Sequence, residues 1–143
     1  MRLHFITVGE PRLAYAKRGW EEYYKRLSRF HQLRTSRIDD KHADDTSLLH
    51  ALGHSYAMPL DLQGKELTSP ALATHLDTLA THGTSEVTFI IGGPEGFGDA
   101  VRRRADFLWK LSDLTLPHDL AMVVMLEALY RASTINAGLP YHR

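Results

Sequence analysis

The sequence predicts an α/β fold with a mostly parallel sheet flanked by helices. Short apolar runs rich in β-branched and aromatic residues alternate with stretches of helical period. The two best runs, Leu3–Val8 and Val87–Ile91, are nearly continuous in apolar character, as expected of strands buried on both faces. Both run into glycine, at Gly9 and at Gly92-Gly93, where a chain leaving a parallel strand turns. One domain covering residues 1–143 accounts for the whole chain, and no repeat, linker or low-complexity segment interrupts it.

The elements follow in order. After the first strand, Leu13, Ala16, Trp20, Tyr23, Tyr24 and Leu27 fit one amphipathic helix from about Leu13 to Phe30. Gln32–Ile38 reads as a second strand, Asp39–Thr46 as a loop, and Thr46–Ser55 as a short helix. Tyr56–Leu62 is a third strand, weakened by Pro59, which has no ladder donor. Gln63-Gly64-Lys65-Glu66 reads as a turn. Ser69-Pro70 supplies a cap and a proline to open a helix that stops at Gly83. The glycine loop after Ile91 leads to a short basic helix, then a strand over Phe107–Leu111. A last helix spans about His118 to Asn136.

Composition narrows the function. There are no cysteines, which excludes disulfides and thiolate metal sites. No apolar run approaches the ~20 residues of a membrane span. The chain opens directly on a strand-like run without a signal-peptide apolar region, so a cytoplasmic protein is expected. The formal net charge is zero, but its distribution is uneven. Residues 1–41 carry a net +5, residues 42–99 a net −7, and residues 100–143 a net +2. Basic charge therefore gathers towards the two ends, either as a face for phosphate or as solvated helix surface.

Gly92-Gly93-Pro94-Glu95-Gly96-Phe97-Gly98 is the main chemical signal. Glycines at the carboxyl end of a parallel strand let a backbone approach a ligand and offer N–H donors. No Gly-Lys-Ser/Thr follows and the frame is not G-x-G-x-x-G, so neither an NTP nor a dinucleotide is indicated. Leu60-Asp61-Leu62-Gln63-Gly64 is a second glycine-bounded strand end that could wall the same pocket, or be only a turn. His50 and His54 have helical i, i+4 spacing but lack the glutamate of H-E-x-x-H and a third ligand. A solvated face is the better reading, and no metal is expected. Arg102, Arg103 and Arg104 point in different directions around a short helix, so that at least one could meet an RNA phosphate, or all are solvated or paired. The terminal Tyr141, His142 and Arg143 combine a stacking ring, a proton-handling imidazole and an anion-binding guanidinium, or else form a basic tail.

Taken together, Val8-Gly9, Leu60-x-Leu62-Gln63-Gly64-Lys65, Phe89-Ile90-Ile91-Gly92-Gly93-x-x-Gly96, Leu116-Pro117-His118, Glu127-x-x-Tyr130-Arg131-Ala132 and Tyr141-His142-Arg143 run in this order over nearly the full length. The set resembles the RlmH family of ribosomal RNA large subunit methyltransferases, in the SPOUT superfamily. The resemblance implies a SPOUT-type sheet with a C-terminal trefoil knot and a homodimer with cofactor pockets near the subunit interface. It implies S-adenosylmethionine as cofactor and no metal. The implied reaction is methylation of N3 of pseudouridine 1915 in helix 69 of 23S rRNA, within the assembled 70S ribosome. Carried over by motif, Leu60 lines the cofactor pocket, Gly92 gives backbone access, and Leu111, Ser112, Asp113, Leu114, Thr115 and Leu116 wrap the adenine and ribose. Tyr141, His142 and Arg143 are the implied catalytic set, with His142 as base or proton relay, and Arg131 joins Arg102–Arg104 as an RNA contact. The sequence departs from the family at Met122, where an arginine is usual. Two alternatives stay open: a SPOUT-type enzyme acting on another RNA such as tRNA, and a non-catalytic ribosome-associated nucleotide-binding module.

Overall fold

Alternation along the strands sets the layers of the molecule. In β1 (Arg2–Val8), Leu3 and Phe5 enter one apolar cluster, while Ile6 and Val8 enter a second on the opposite face. β4 (Glu86–Ile91) repeats this, with Val87, Phe89 and Ile91 on the first side and Ile90 on the second. The computed structural model describes residues 1–143. Its five strands pair in the order β2-β1-β4-β3-β5, every neighbour parallel. β2 is Gln32–Ile38, β3 is Tyr56–Glu66 and β5 is Trp109–Lys110.

Helices α1 (Ala14–Leu27), α3 (Ser69–Thr81) and α5 (His118–Asn136) cover the first face through Trp20, Leu76, Met125 and Leu129. Helices α2 (Asp45–Leu52) and α4 (Asp99–Arg104) cover the second through Leu48, Leu52 and Val101. Phe5 stacks on Phe89 at 5.7 Å and meets the edge of Trp20 at 5.9 Å, which joins strands to α1. Such ring pairs add roughly 0.5–1.5 kcal/mol each beyond burial. No helix is long and apolar enough to cross a membrane.

Four local expectations are corrected. Gln63–Glu66 does not turn but continues β3, with a register shift between Leu60 and Lys65 as the strand passes β5. Gly64 is needed there for close approach: a Cβ at this position would lie 2.4 Å from the carbonyl oxygen of Leu108. The strand over Phe107–Leu111 contracts to Trp109–Lys110. The cap of α3 is Thr68, whose hydroxyl accepts from Ala71 N at 3.1 Å, one residue before Ser69. His54 lies beyond the end of α2, so it does not share a helical face with His50. Pro59 is accommodated in β3 as the last residue paired with β4, where the strand passes on to β5.

Candidate functional site

In an all-parallel sheet every strand delivers its carboxyl end to one edge, and that edge is where ligands bind in open α/β folds. Here a cavity of about 380 Å³ opens on it, within the span of small-molecule sites. Its walls are Leu60–Leu62 at the end of the β4-paired part of β3, the loop Ile91–Phe97 after β4, and the segment after β5. Arg102 of α4 and His118 and Ala121 of α5 complete it.

The glycine loop is fixed by local geometry. Gly96 N donates to Gly93 O at 2.8 Å, closing a tight turn back over Gly92. A Cβ on Gly92 would come 2.8–3.0 Å from the backbone of Gly96, so the turn excludes any side chain there. The far end of the loop is held by Asp45, whose two carboxylate oxygens accept from Gly98 N at 2.7 Å and Val101 N at 3.1 Å. A carboxylate from α2 thus caps α4.

Of the residues implied by the resemblance for the cofactor, Leu60, Gly92, Leu111, Ser112, Leu114, Thr115 and Leu116 line this cavity. From Ser112 to Leu116 no backbone group bonds to another backbone group, and Leu114 N is met by Ser112 Oγ at 2.9 Å. The remaining main-chain donors and acceptors are thus left for a ligand or solvent. Asp113 is placed differently. It is 79% exposed and pairs with Lys110 at 2.5 Å. The Lys110 ammonium holds the Asp113 carboxyl below its usual value, and Asp113 in turn raises Glu66. A charged side chain on a hairpin of loop gains most from water and its ion pair, so it turns outward.

The implied catalytic tail lies outside the cavity of its own chain. Tyr141 OH donates to Glu127 Oε1 at 3.2 Å, and its ring meets Tyr130 edge-on at 4.7 Å. Burial and Tyr23 raise the Tyr141 hydroxyl well above its ordinary value. Arg131 sits 4.7 Å over the Tyr141 ring, bonds Glu127 at 2.7 Å and donates to His142 Nδ1 at 3.2 Å. Arg143 reaches only the Pro140 carbonyl, at 3.4 Å. The tail is therefore folded back along the middle of α5.

The arginines expected on RNA divide. Arg103 is exposed. Arg104 is committed internally, donating to Ser55 O at 2.8 Å and Gly53 O at 3.3 Å and pairing with Asp106 at 3.2 Å. Arg131 orders the tail as described. Arg102 lines the cavity and donates through Nε to Asp61 at 2.5 Å. Met122 is fully buried in the core between sheet and helices, so a side chain at this position does not reach the surface of the single chain. No group of three or more His, Cys, Asp or Glu is close enough to hold a metal ion.

Two contributors escaped sequence reasoning, Asp45 and Asp119; Asp61 and His118 stood inside motifs that the sequence offered, but without their partners. Asp119 Oδ2 accepts from Arg12 N at 2.9 Å and Leu13 N at 2.7 Å, tying the start of α1 to the first turn of α5. Burial raises the Asp119 carboxyl, but these two N–H groups and His118 outweigh it and the net shift is downward. His118 Nε2 is buried without a hydrogen-bond partner. The stretches around Asp45 and Asp119 carried no motif, because their partners come from distant segments.

The chain matches the family model described as "Predicted SPOUT methyltransferase" over residues 1–142. It is 54% identical to the Ribosomal RNA large subunit methyltransferase H of Deinococcus radiodurans, covering 100% of this chain and 99% of that protein. The protein of the same name from Thermus thermophilus is 45% identical, again over 100% of this chain and 99% of the other. Among solved structures, the tRNA (m1G37) methyltransferase of Aquifex aeolicus matches the fold with a TM-score of 0.59 at 16% identity, over 100% of this chain and 74% of that one. A probable methylase family protein from Haemophilus influenzae gives 0.58 at 10% identity, over 99% and 70%. A glycine-lined cavity at the carboxyl edge of a parallel sheet, in a chain that aligns end to end with such relatives, makes this protein a member of the SPOUT methyltransferase family.

Proposed function

We infer that this protein methylates large-subunit ribosomal RNA using S-adenosylmethionine. The observation that carries this is the full-length match to relatives named for that activity, at up to 54% identity. The cavity fits the cofactor in size and in kind. A glycine turn clears room for a nucleoside, and Ser112–Leu116 presents unpaired main-chain groups beside the apolar Leu60 and Leu62. When bound, the cofactor supplies a methyl group activated by a sulfonium. Gly92 would admit it closely, Leu60 would pack on it, and Leu111–Leu116 would hold the adenine and ribose by backbone contacts. Holding an acceptor nitrogen in line at such a site supplies much of a rate enhancement of this type.

The finer reading is that the acceptor is N3 of pseudouridine 1915 in helix 69 of 23S rRNA, presented by the assembled 70S ribosome in the cytoplasm. A protein of zero formal net charge has little electrostatic grip on naked RNA, which favours a preassembled substrate. The reading includes a homodimer and the C-terminal knot carried by the resemblance. Support for the dimer comes from two sides. Leu13, Tyr15 and Leu114 are large apolar side chains at least half exposed. The Tyr141–Arg143 tail lies away from its own cavity, so a second copy would bring it to the acceptor. There Tyr141 would stack, Arg143 would stabilise the imide anion, and His142 would handle the N3 proton.

Tritiated methyl transfer to 70S ribosomes from a strain lacking the modification tests this. Label is expected at the N3 position of that pseudouridine. Label found only in tRNA, or none with the cofactor bound, would sink the reading. His142→Ala is expected to slow transfer by 100-fold or more, about the weight of one acid–base group, with cofactor affinity within about 3-fold.

A further inference from the structure

One ion pair, Asp61 with Arg102, stands in the wall of the cavity. Asp61 is 7% exposed in its side chain, and its Oδ2 accepts from Arg102 Nε at 2.5 Å. Its Oδ1 accepts from Gln63 N at 3.1 Å. Arg102 lies over the Phe97 ring at 5.4 Å and donates through Nη1 to Asp99 at 3.3 Å. Its Nη2 makes no hydrogen bond within the chain. Both side chains line the cavity, and Arg102 is the only lysine or arginine that does.

A sulfonium nucleoside of this class has two chemically different ends. The adenine and ribose suit the backbone-rich Ser112–Leu116 segment and the apolar wall. The other end is an amino acid, with a carboxylate and an ammonium on one carbon. Such a zwitterion needs a cation and an anion side by side, and desolvating it without them is costly. Asp61 and Arg102 are such a couple, already oriented by Gln63, Asp99 and Phe97. The guanidinium Nη2 offers two free N–H donors for a carboxylate, and each Asp61 oxygen keeps a lone pair for an ammonium.

We propose that Asp61 and Arg102 form the recognition site for the amino-acid end of S-adenosylmethionine, Arg102 Nη2 taking the carboxylate and Asp61 the ammonium. This rests on the reading of the cavity as the S-adenosylmethionine site. It reassigns Arg102 from a phosphate contact to a cofactor contact.

Calorimetry with two ligands separates the ends. S-adenosylhomocysteine carries the amino acid, and 5′-methylthioadenosine lacks it. The wild-type protein is expected to prefer the former by about 30-fold or more, the scale of charge-assisted contacts. Arg102→Ala is expected to reduce that preference about 10-fold or more while 5′-methylthioadenosine binds within about 3-fold of wild type. Arg102→Lys, which keeps a cation, is expected to fall between. The ratio of the two affinities within one variant does not depend on how much of it is folded, so a destabilised variant still reports. An unchanged ratio in Arg102→Ala overturns the proposal and leaves the pair as a strut between α4 and β3. If wild type binds neither ligand, the cavity reading itself fails, and this proposal with it.

Discussion

At the scale of single residues, the tail carries the sharpest consequence. An arginine can only donate hydrogen bonds, so the contact of Arg131 with His142 Nδ1 makes that nitrogen the acceptor. The neutral ring then holds its proton on Nε2. In this arrangement His142 offers a donor, and the base role proposed for it would require Arg131 to let go of Nδ1. Nitrogen NMR of the free protein is expected to show the Nε2–H tautomer predominating, and Arg131→Gln to return His142 towards a mixture; identical spectra would refute the contact. Gly92 offers a second test. Gly92→Ala must displace Gly96, so cofactor affinity is expected to fall at least about 10-fold while the buried sheet persists. Calorimetry beside a thermal melt distinguishes the two losses.

At the scale of elements, buried polar groups tie strands and helices together, and pH probes them. His4 of β1 faces Ser36 at 2.7 Å and Thr88 at 3.3 Å. Burial, with Arg34 adding to it and Glu86 opposing, pushes its pKa down to about 4 from 6.5. The folded value lies below that of the unfolded chain, so the unfolded chain takes the proton first as pH falls. Stability is thus unaffected above about pH 7 and declines between about 6.5 and 4, by roughly 3 kcal/mol for this residue. His31 and His75, also lowered by burial, act in the same direction. Urea midpoints followed from pH 7 to 4.5 should therefore drop, less steeply in His4→Gln. Between helices, Asp119→Ala leaves two N–H groups of the α1 start unmet, a loss of about 2 kcal/mol. Denaturant melts check it, and an unchanged midpoint would remove Asp119 as the α1–α5 link.

At the scale of the whole molecule, the proposed dimer predicts complementation. A chain with His142→Ala, and a chain with Gly92→Ala assayed at a cofactor concentration far below its Kd, are each expected to be nearly inactive alone. Mixed after joint unfolding and refolding, they should regain about a quarter of wild-type transfer. Half of the dimers in an equal mixture are then hybrid, and each hybrid has one intact tail over one intact cavity. No recovery in hybrids verified by mass would show that the tail serves its own chain. Sedimentation should meanwhile give a single species of about twice the 16.2 kDa chain mass.

By itself the sequence determined the sheet, the order of its elements and the edge where chemistry collects. β1 and β4 were legible because strands buried on both faces must be apolar throughout, and the glycine loop because a turn against Gly96 tolerates no side chain. It also determined that Leu60, Gly92 and most of Leu111–Leu116 belong together, through motifs carried by a resemblance. Only tertiary structure decided what the charges do. Arg102, Arg104 and Arg131 look alike in a string of letters, yet one faces a cavity, one holds carbonyls and one orders a tail. Asp45, Asp61 and Asp119 likewise found partners between 41 and 107 residues away. A buried carboxylate or guanidinium is set by whichever group meets it after folding, and no local pattern records a partner that distant.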